Sequence, residues 1–265
     1  MAVQWVGPTQ VFATFDLNHA PTGQYDVVAR QADGRRAELP DGLVVQESQG
    51  ADLVYESRVA EHLGLYRFYP YTIEYANLGN QDAMPPLFVI TSNGVFMGLD
   101  AEYVVNDRPI QVLGASVDGP IDTLRPGEKQ DANLAFFTRG APPSYKESMT
   151  LSFDVRQIKA YDATPITASE WTEIERFLRA DGVGWIPAKI TSIGEVMTAI
   201  ISDESLEGKM APGRFPGALT DLEWQTFWDQ IRPRIGNTWG QYVRFLNDLS
   251  RHLAAVPSPR PMALL

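Results

Sequence analysis

Up to Pro165 the chain alternates hydrophobic and polar positions in short runs with a period of two, and after it the spacing lengthens toward 3.6. In the first 46 residues the runs are Val11 to Phe15, Tyr25 to Ala29 and Leu43 to Val45. Between them lie Ala20-Pro21-Thr22-Gly23, Ala32-Asp33-Gly34 and Pro40-Asp41-Gly42. Proline presets one turn dihedral and glycine or aspartate tolerates positive φ, so these pieces predict consecutive antiparallel strands. From residue 50 to 160 the same texture continues, with strands expected at Asp52 to Tyr55, Tyr69 to Tyr75, Leu87 to Thr91, Ala101 to Val105, Gln111 to Leu113, Leu134 to Phe137 and Thr150 to Val155. Short strands separated by Gly, Pro and Asn predict a β-sandwich.

Beyond Pro165 the elements become helical. Thr167-Ala168-Ser169-Glu170 spells a capping box, in which hydroxyl and carboxylate satisfy amides that the first helical turn leaves orphaned, and Trp171, Ile174 and Leu178 follow on one face to about Arg179. A second helix is expected over 191–203, on Ile193, Val196, Met197, Ile200 and Ile201. Thr220 and Glu223 form another box before Trp224, Phe227, Trp228 and Ile231, with Pro233 expected to end or kink that helix. The last helix starts near Asn237 or Thr238 and carries Trp239, Tyr242, Val243, Leu246, Leu249 and Leu253 on one face. Such amphipathic segments can bury one another in a small bundle.

The fold class expected is therefore immunoglobulin-like antiparallel β-sandwich segments followed by a small α-helical bundle. The domains expected are 1–48, the terminal strands of a sandwich; 49–163, a second sandwich; 164–256, helical; and 257–265, a Pro-rich tail or linker. Three or four strands are few for a closed sandwich, so the first domain reads as the end of one that begins upstream.

Charge sharpens the division. The net charge of −11 is concentrated before residue 165, at −9 against −2 afterwards. An excess of that sign repels phosphate backbones and excludes nucleic acid as the expected partner. No run approaches the roughly 20 apolar residues of a membrane span, and no signal-peptide pattern opens the chain. Without cysteine there is no disulfide, thiolate metal site or cysteine nucleophile.

Two stretches resemble known families. Gly23-Gln24-Tyr25-Asp26-Val27-Val28, with Asp33-Gly34 and Leu39 to Val45, is similar to the closing strands of IPT/TIG-type immunoglobulin-like domains, although Ala32 stands for the usual proline and Leu43 for the usual aromatic. Tyr71-Thr72-Ile73-Glu74-Tyr75-Ala76-Asn77-Leu78-Gly79-Asn80-Gln81-Asp82-Ala83 resembles the "Y-T-x-x-Y-x-N-x-G-x-x-D-A" strand pair of CARDB-like, cell-adhesion-related bacterial sandwiches, and Leu124-Arg125-Pro126-Gly127 their "L-x-P-G" turn. Gly236-Asn237-Thr238-Trp239-Gly240-Gln241-Tyr242 looks like part of a module that follows such sandwiches in very large surface proteins. The resemblance implies a fragment of a secreted bacterial protein of adhesion, surface architecture or assembly. It supplies no catalytic residue.

Candidate chemistry is sparse. His19, His62 and His252 stand apart from one another, and no G-x-S-x-G, G-x-G-x-x-G or P-loop motif occurs. Calcium is the one cofactor the acidic loops suggest, through Asp100, Glu102 and Asp107, Asp118 with Asp122, or Asp16 with Asp26, although no EF-hand loop fixes any of them. Solubilising loop charge is the plainer reading of these acids. Trp171, Trp224, Trp228 and Trp239 fit helix faces, whereas Trp185 lies in a loop beside Gly182, Gly184 and Pro187 and is the candidate contact for a glycan or protein partner.

The function expected is a non-catalytic structural or interaction module, extracellular or at the cell surface. Its partners would be other protein domains of the same or a neighbouring chain, or further copies of itself. The alternative is a carbohydrate-binding or glycoside-processing protein with its site in the helical part. That alternative requires exposed indoles.

Overall fold

The computed structural model describes residues 2–7, 10–17, 19–93, 95–98, 104–105, 109–117, 119–138, 150–180 and 221–255. The N-terminal region forms two separate hairpins, β1 (Ala2–Gly7) with β2 (Gln10–Thr14) and β3 (Gly23–Arg30) with β4 (Arg36–Val45). The next strands are β5 (Leu53–Arg58), β6 (Phe68–Asn77), β7 (Leu87–Asn93), β8 (Val95–Gly98), β9 (Val104–Val105), β10 (Ile110–Leu113), β11 (Lys129–Thr138) and β12 (Ser152–Ile158). They make a five-stranded sheet, β5-β6-β11-β8-β9, and a three-stranded one, β10-β7-β12, with every neighbouring pair antiparallel.

The two sheets share one core. Tyr71, Ile73 and Tyr75 of β6 and Leu134 and Phe136 of β11 pack with Phe88 and Ile90 of β7 and Ile110 and Val112 of β10. Tyr75 is tilted against Phe88 at 5.4 Å between centroids, and Tyr71 stacks on Phe153 at 4.8 Å. At the open side of this core the Tyr55 hydroxyl donates to the Val155 carbonyl at 2.7 Å, joining β5 to β12.

The helices form a third layer. They are α1 (Ala168–Ala180), α2 (Asp221–Ile235) and α3 (Trp239–Ala255). Their buried residues, among them Trp171, Ile174, Trp224, Trp228, Trp239, Tyr242 and Leu246, pack with Leu87, Leu113 and Ile158 from the outer side of the three-stranded sheet. Successive side chains of a strand point to opposite faces, so β7 sends Phe88 and Ile90 into one core and Leu87 and Val89 into the other. The change of texture at Pro165 is thus a passage from strand to helix within a continuously packed unit. No described helix is long and apolar enough to cross a membrane.

Several boundaries differ from the sequence expectation. Pro233 does not stop α2, which runs on to Ile235, because Ile231 and Ile235 are both anchored in the core; the stop comes at Gly236, whose φ of 92° suits glycine. Strands β1 and β8 are short segments that the alternation did not single out. The expected helix over 191–203 and the Thr220 hydroxyl lie outside the described residues.

Candidate interaction surfaces

The motif residues singled out in the sequence are consumed by the fold. Asn77, fully buried, accepts from the amides of Asp52 and Gly79, both at 3.1 Å, and donates to the carbonyls of Gln81 at 2.7 Å and Leu124 at 3.0 Å. A Cβ on Gly79 would come within 2.2 Å of the Gly50 carbonyl oxygen, which is why that position has no side chain. Ala83 and Leu124 bridge as an isolated antiparallel pair, and Gly127 turns the chain with a φ of 75°. Glu128 locks this turn: its carboxylate accepts from Ser116, from Gln130 at 2.9 Å, and from the Arg125 amide and guanidinium, both at 3.0 Å. Burial raises the Glu128 carboxyl, but those donors outweigh it and hold it below the usual range.

The 236–242 stretch is spent the same way. Thr238 caps α3: the Gln241 amide donates to its hydroxyl at 3.3 Å while the Gln241 side-chain oxygen accepts from the Thr238 amide at 3.0 Å. Gly240 lies against the backbone of Ala160 and Asp162, where a Cβ would meet carbonyl oxygens at 2.7 and 2.6 Å. The Tyr242 hydroxyl donates to Gln111 at 2.8 Å inside the core.

The first capping box works as expected and does more. The Glu170 carboxylate accepts from the Thr167 amide at 2.8 Å, and its other oxygen accepts from Arg156 of β12 at 3.1 Å and the Trp239 indole of α3 at 3.2 Å. The Arg156 guanidinium lies 4.8 Å over the Trp239 ring. Burial raises the Glu170 carboxyl, and the hydrogen bonds more than offset it, leaving it below its ordinary value. A lowered carboxylate contributes stability in full above the unfolded value of about 4.3 and loses it as pH falls through the native one. Glu170→Gln should therefore cost about 1–2 kcal/mol at pH 7, and its deficit relative to the native sequence should shrink as urea titrations move to pH 3. A deficit independent of pH would show that the charge plays no part.

Two of the expected ligand candidates are engaged in other contacts. Asp122 forms an ion pair with Arg251 at 2.9 Å. Asp26 accepts from the Asp41 amide at 2.9 Å. Asp100, Glu102, Asp107, Asp118 and Trp185 lie outside the described residues, and within them no group of three or more acids and histidines stands where it could hold a metal ion. Trp171, Trp224, Trp228 and Trp239 are all buried, so none of the four offers an indole face to a sugar ring. The stripe of helical spacing already pointed to that burial.

Among the surfaces open to solvent is the N-terminal region. In the β3–β4 hairpin Tyr25 opposes Leu43, Val27 opposes Leu39 and Ala29 opposes Ala37, which gives the ribbon one apolar face. That face is largely uncovered, with Leu39 at 60% exposure and Tyr25 at 37%. On β1–β2, Val3 and Val11 are likewise exposed. After the hairpin the chain is fastened to the sandwich, where Asn80 accepts from the Gln49 amide at 2.7 Å and donates to the Glu47 carbonyl at 2.6 Å.

Neither protein-family models nor the curated proteins contain a match to this chain.

Proposed function

We propose that the chain is a non-catalytic structural and interaction module of a bacterial extracellular or cell-surface protein. In this reading, immunoglobulin-like sandwich segments and a helical layer make a rigid body, and strand pairing at the N-terminal hairpins joins it to other protein domains. The observation that carries the reading is the β3–β4 ribbon, an amphipathic two-stranded sheet whose apolar face is open. Two strands alone are marginal in water, and a third strand or a covering layer stabilises them. Polar residues of the recognisable motifs support it from the other side, since Asn77, Arg125, Thr238 and Gln241 are engaged in holding turns and caps.

Sedimentation velocity of the purified chain across a concentration series, with calcium and with chelator, tests this. The expected result is concentration-dependent association that chelator leaves unchanged, because strand pairing needs no ion. A monomer at every concentration would overturn the reading.

A further inference from the structure

The two long edges of the β3–β4 ribbon differ. On β4 the edge contains Pro40, which has no amide hydrogen, and a bulge in which Asp41 adopts a φ of 52°. Both features block strand addition. The register shows where the bulge sits: Tyr25 to Val27 advances two residues while Leu43 to Leu39 advances four, so the extra residues belong to β4 and β3 stays regular. Among the described residues β3 has one neighbour in its sheet; it contains no proline and is exposed along its length except at Val27. Its free edge is a template for one more strand.

Charge says which strand fits. On the polar face of β3 lie Asp26, Val28 and Arg30, two residues apart. Arg30 opposes Arg36, which is already paired to Glu38, and Arg30 makes no ion pair among the described residues. One oxygen of Asp26 accepts the Asp41 amide, which leaves the other available. We propose that the free edge of β3 takes β3 of a second copy, antiparallel and centred on Val28. In that register Asp26 of each copy stands opposite Arg30 of the other, Val28 meets Val28, and Val27 meets Ala29 on the apolar face. Two marginal ribbons become a four-stranded sheet in the order β4-β3-β3-β4, with one continuous apolar side and both outer edges blunted by Pro40. The twofold axis makes the contact self-complementary and closed, so it ends at a dimer.

This inference rests on the interaction reading above, and two measurements on the full chain separate them. Arg30→Glu sets a second carboxylate against Asp26 at both ends of the paired strands and is expected to weaken the dimer at least about tenfold in sedimentation velocity. Adding Asp26→Lys to it restores opposite charges in the same register and is expected to restore association; the Asp41 amide thus released is exposed and finds water. The chain has no cysteine, so Val28→Cys reports the register directly: it should form a covalent dimer on mild oxidation, while Val44→Cys, on the same face but on β4, should not. Association of the native chain that is indifferent to Arg30→Glu, or failure of Val28→Cys to cross-link, overturns this edge and register while leaving an interaction module that pairs elsewhere. A native chain that never associates overturns both.

Discussion

Replacing Asn77 by alanine is expected to cost about 2–4 kcal/mol of folding stability, because its buried carboxamide ties three separate segments together and two of them lose a part-buried hydrogen-bond partner. The carboxamide satisfies two amides and two carbonyls at once, and these belong to the start of β5, the turn after β6 and the turn before β11. Leu124 keeps its bond from the Ala83 amide, but Asp52, Gly79 and Gln81 lose the partner that Asn77 supplied. Neighbouring segments cannot relax to compensate, since the Gly50–Asp52 backbone already lies against Gly79 with no room for a Cβ. Urea denaturation at pH 7 should show the lower midpoint with an unchanged slope. Asn77→Asp should fare no better at that pH, as it keeps both acceptor bonds, loses both donors and buries a charge. An alanine variant within about 1 kcal/mol of the native chain would mean that these backbone groups find other partners.

Asn77 also illustrates what could be read in the sequence and what could not. Asn77-Leu78-Gly79 reads as a turn after a strand, and it is one. That its side chain ties residues 25 and 47 positions away is a tertiary fact with no local signature. The strands and helices were more legible. Alternation marks β3, β6 and β11, and the Thr167–Glu170 box marks the start of α1. Thr238 with Gln241 is the same kind of signal at α3, present in the sequence but overshadowed there by the larger motif around it. Short β8 escaped because four residues hold too little alternation to stand out.

For the candidate surface, the sequence supplied the turn residues and the apolar positions of the hairpin, but not its edges. Pro40-Asp41-Gly42 looked like a turn between strands, whereas it is a bulge inside β4. Only the register shows that it blunts one edge and leaves the other regular. The acidic loop residues carried no such pattern; Asp122 answers Arg251, almost half the chain away, and no spacing rule could have paired them.

The third layer did have a signal. Leu87-Phe88-Val89-Ile90 is apolar without alternation, as a strand covered on both faces must be, while β6 and β11 alternate because one of their faces meets solvent. From this follows the result expected for a pair of adjacent substitutions on β7. Phe88→Ala removes a ring from the core between the sheets and should cost about 3–5 kcal/mol; Leu87→Ala opens a hole beneath the helices and should cost about 2–5 kcal/mol. Four of the six tryptophans lie in the helical core, and no tryptophan is among the described residues of the inter-sheet core, so the fluorescence of those four reports the helices. If sheets and helices formed independent domains, Phe88→Ala would leave the fluorescence transition in place. We expect both substitutions to lower it, together with the circular-dichroism transition. The layers are joined by more than apolar area: Tyr242 donates to Gln111, Asn247 donates to the Pro85 carbonyl at 3.0 Å, and Glu170 holds Arg156 and Trp239 together. Opening the inter-sheet core displaces β7, and displacing β7 removes the floor on which α3 is packed. A fluorescence transition that stays unshifted in Phe88→Ala while the strand signal falls would separate the layers into units that fold alone.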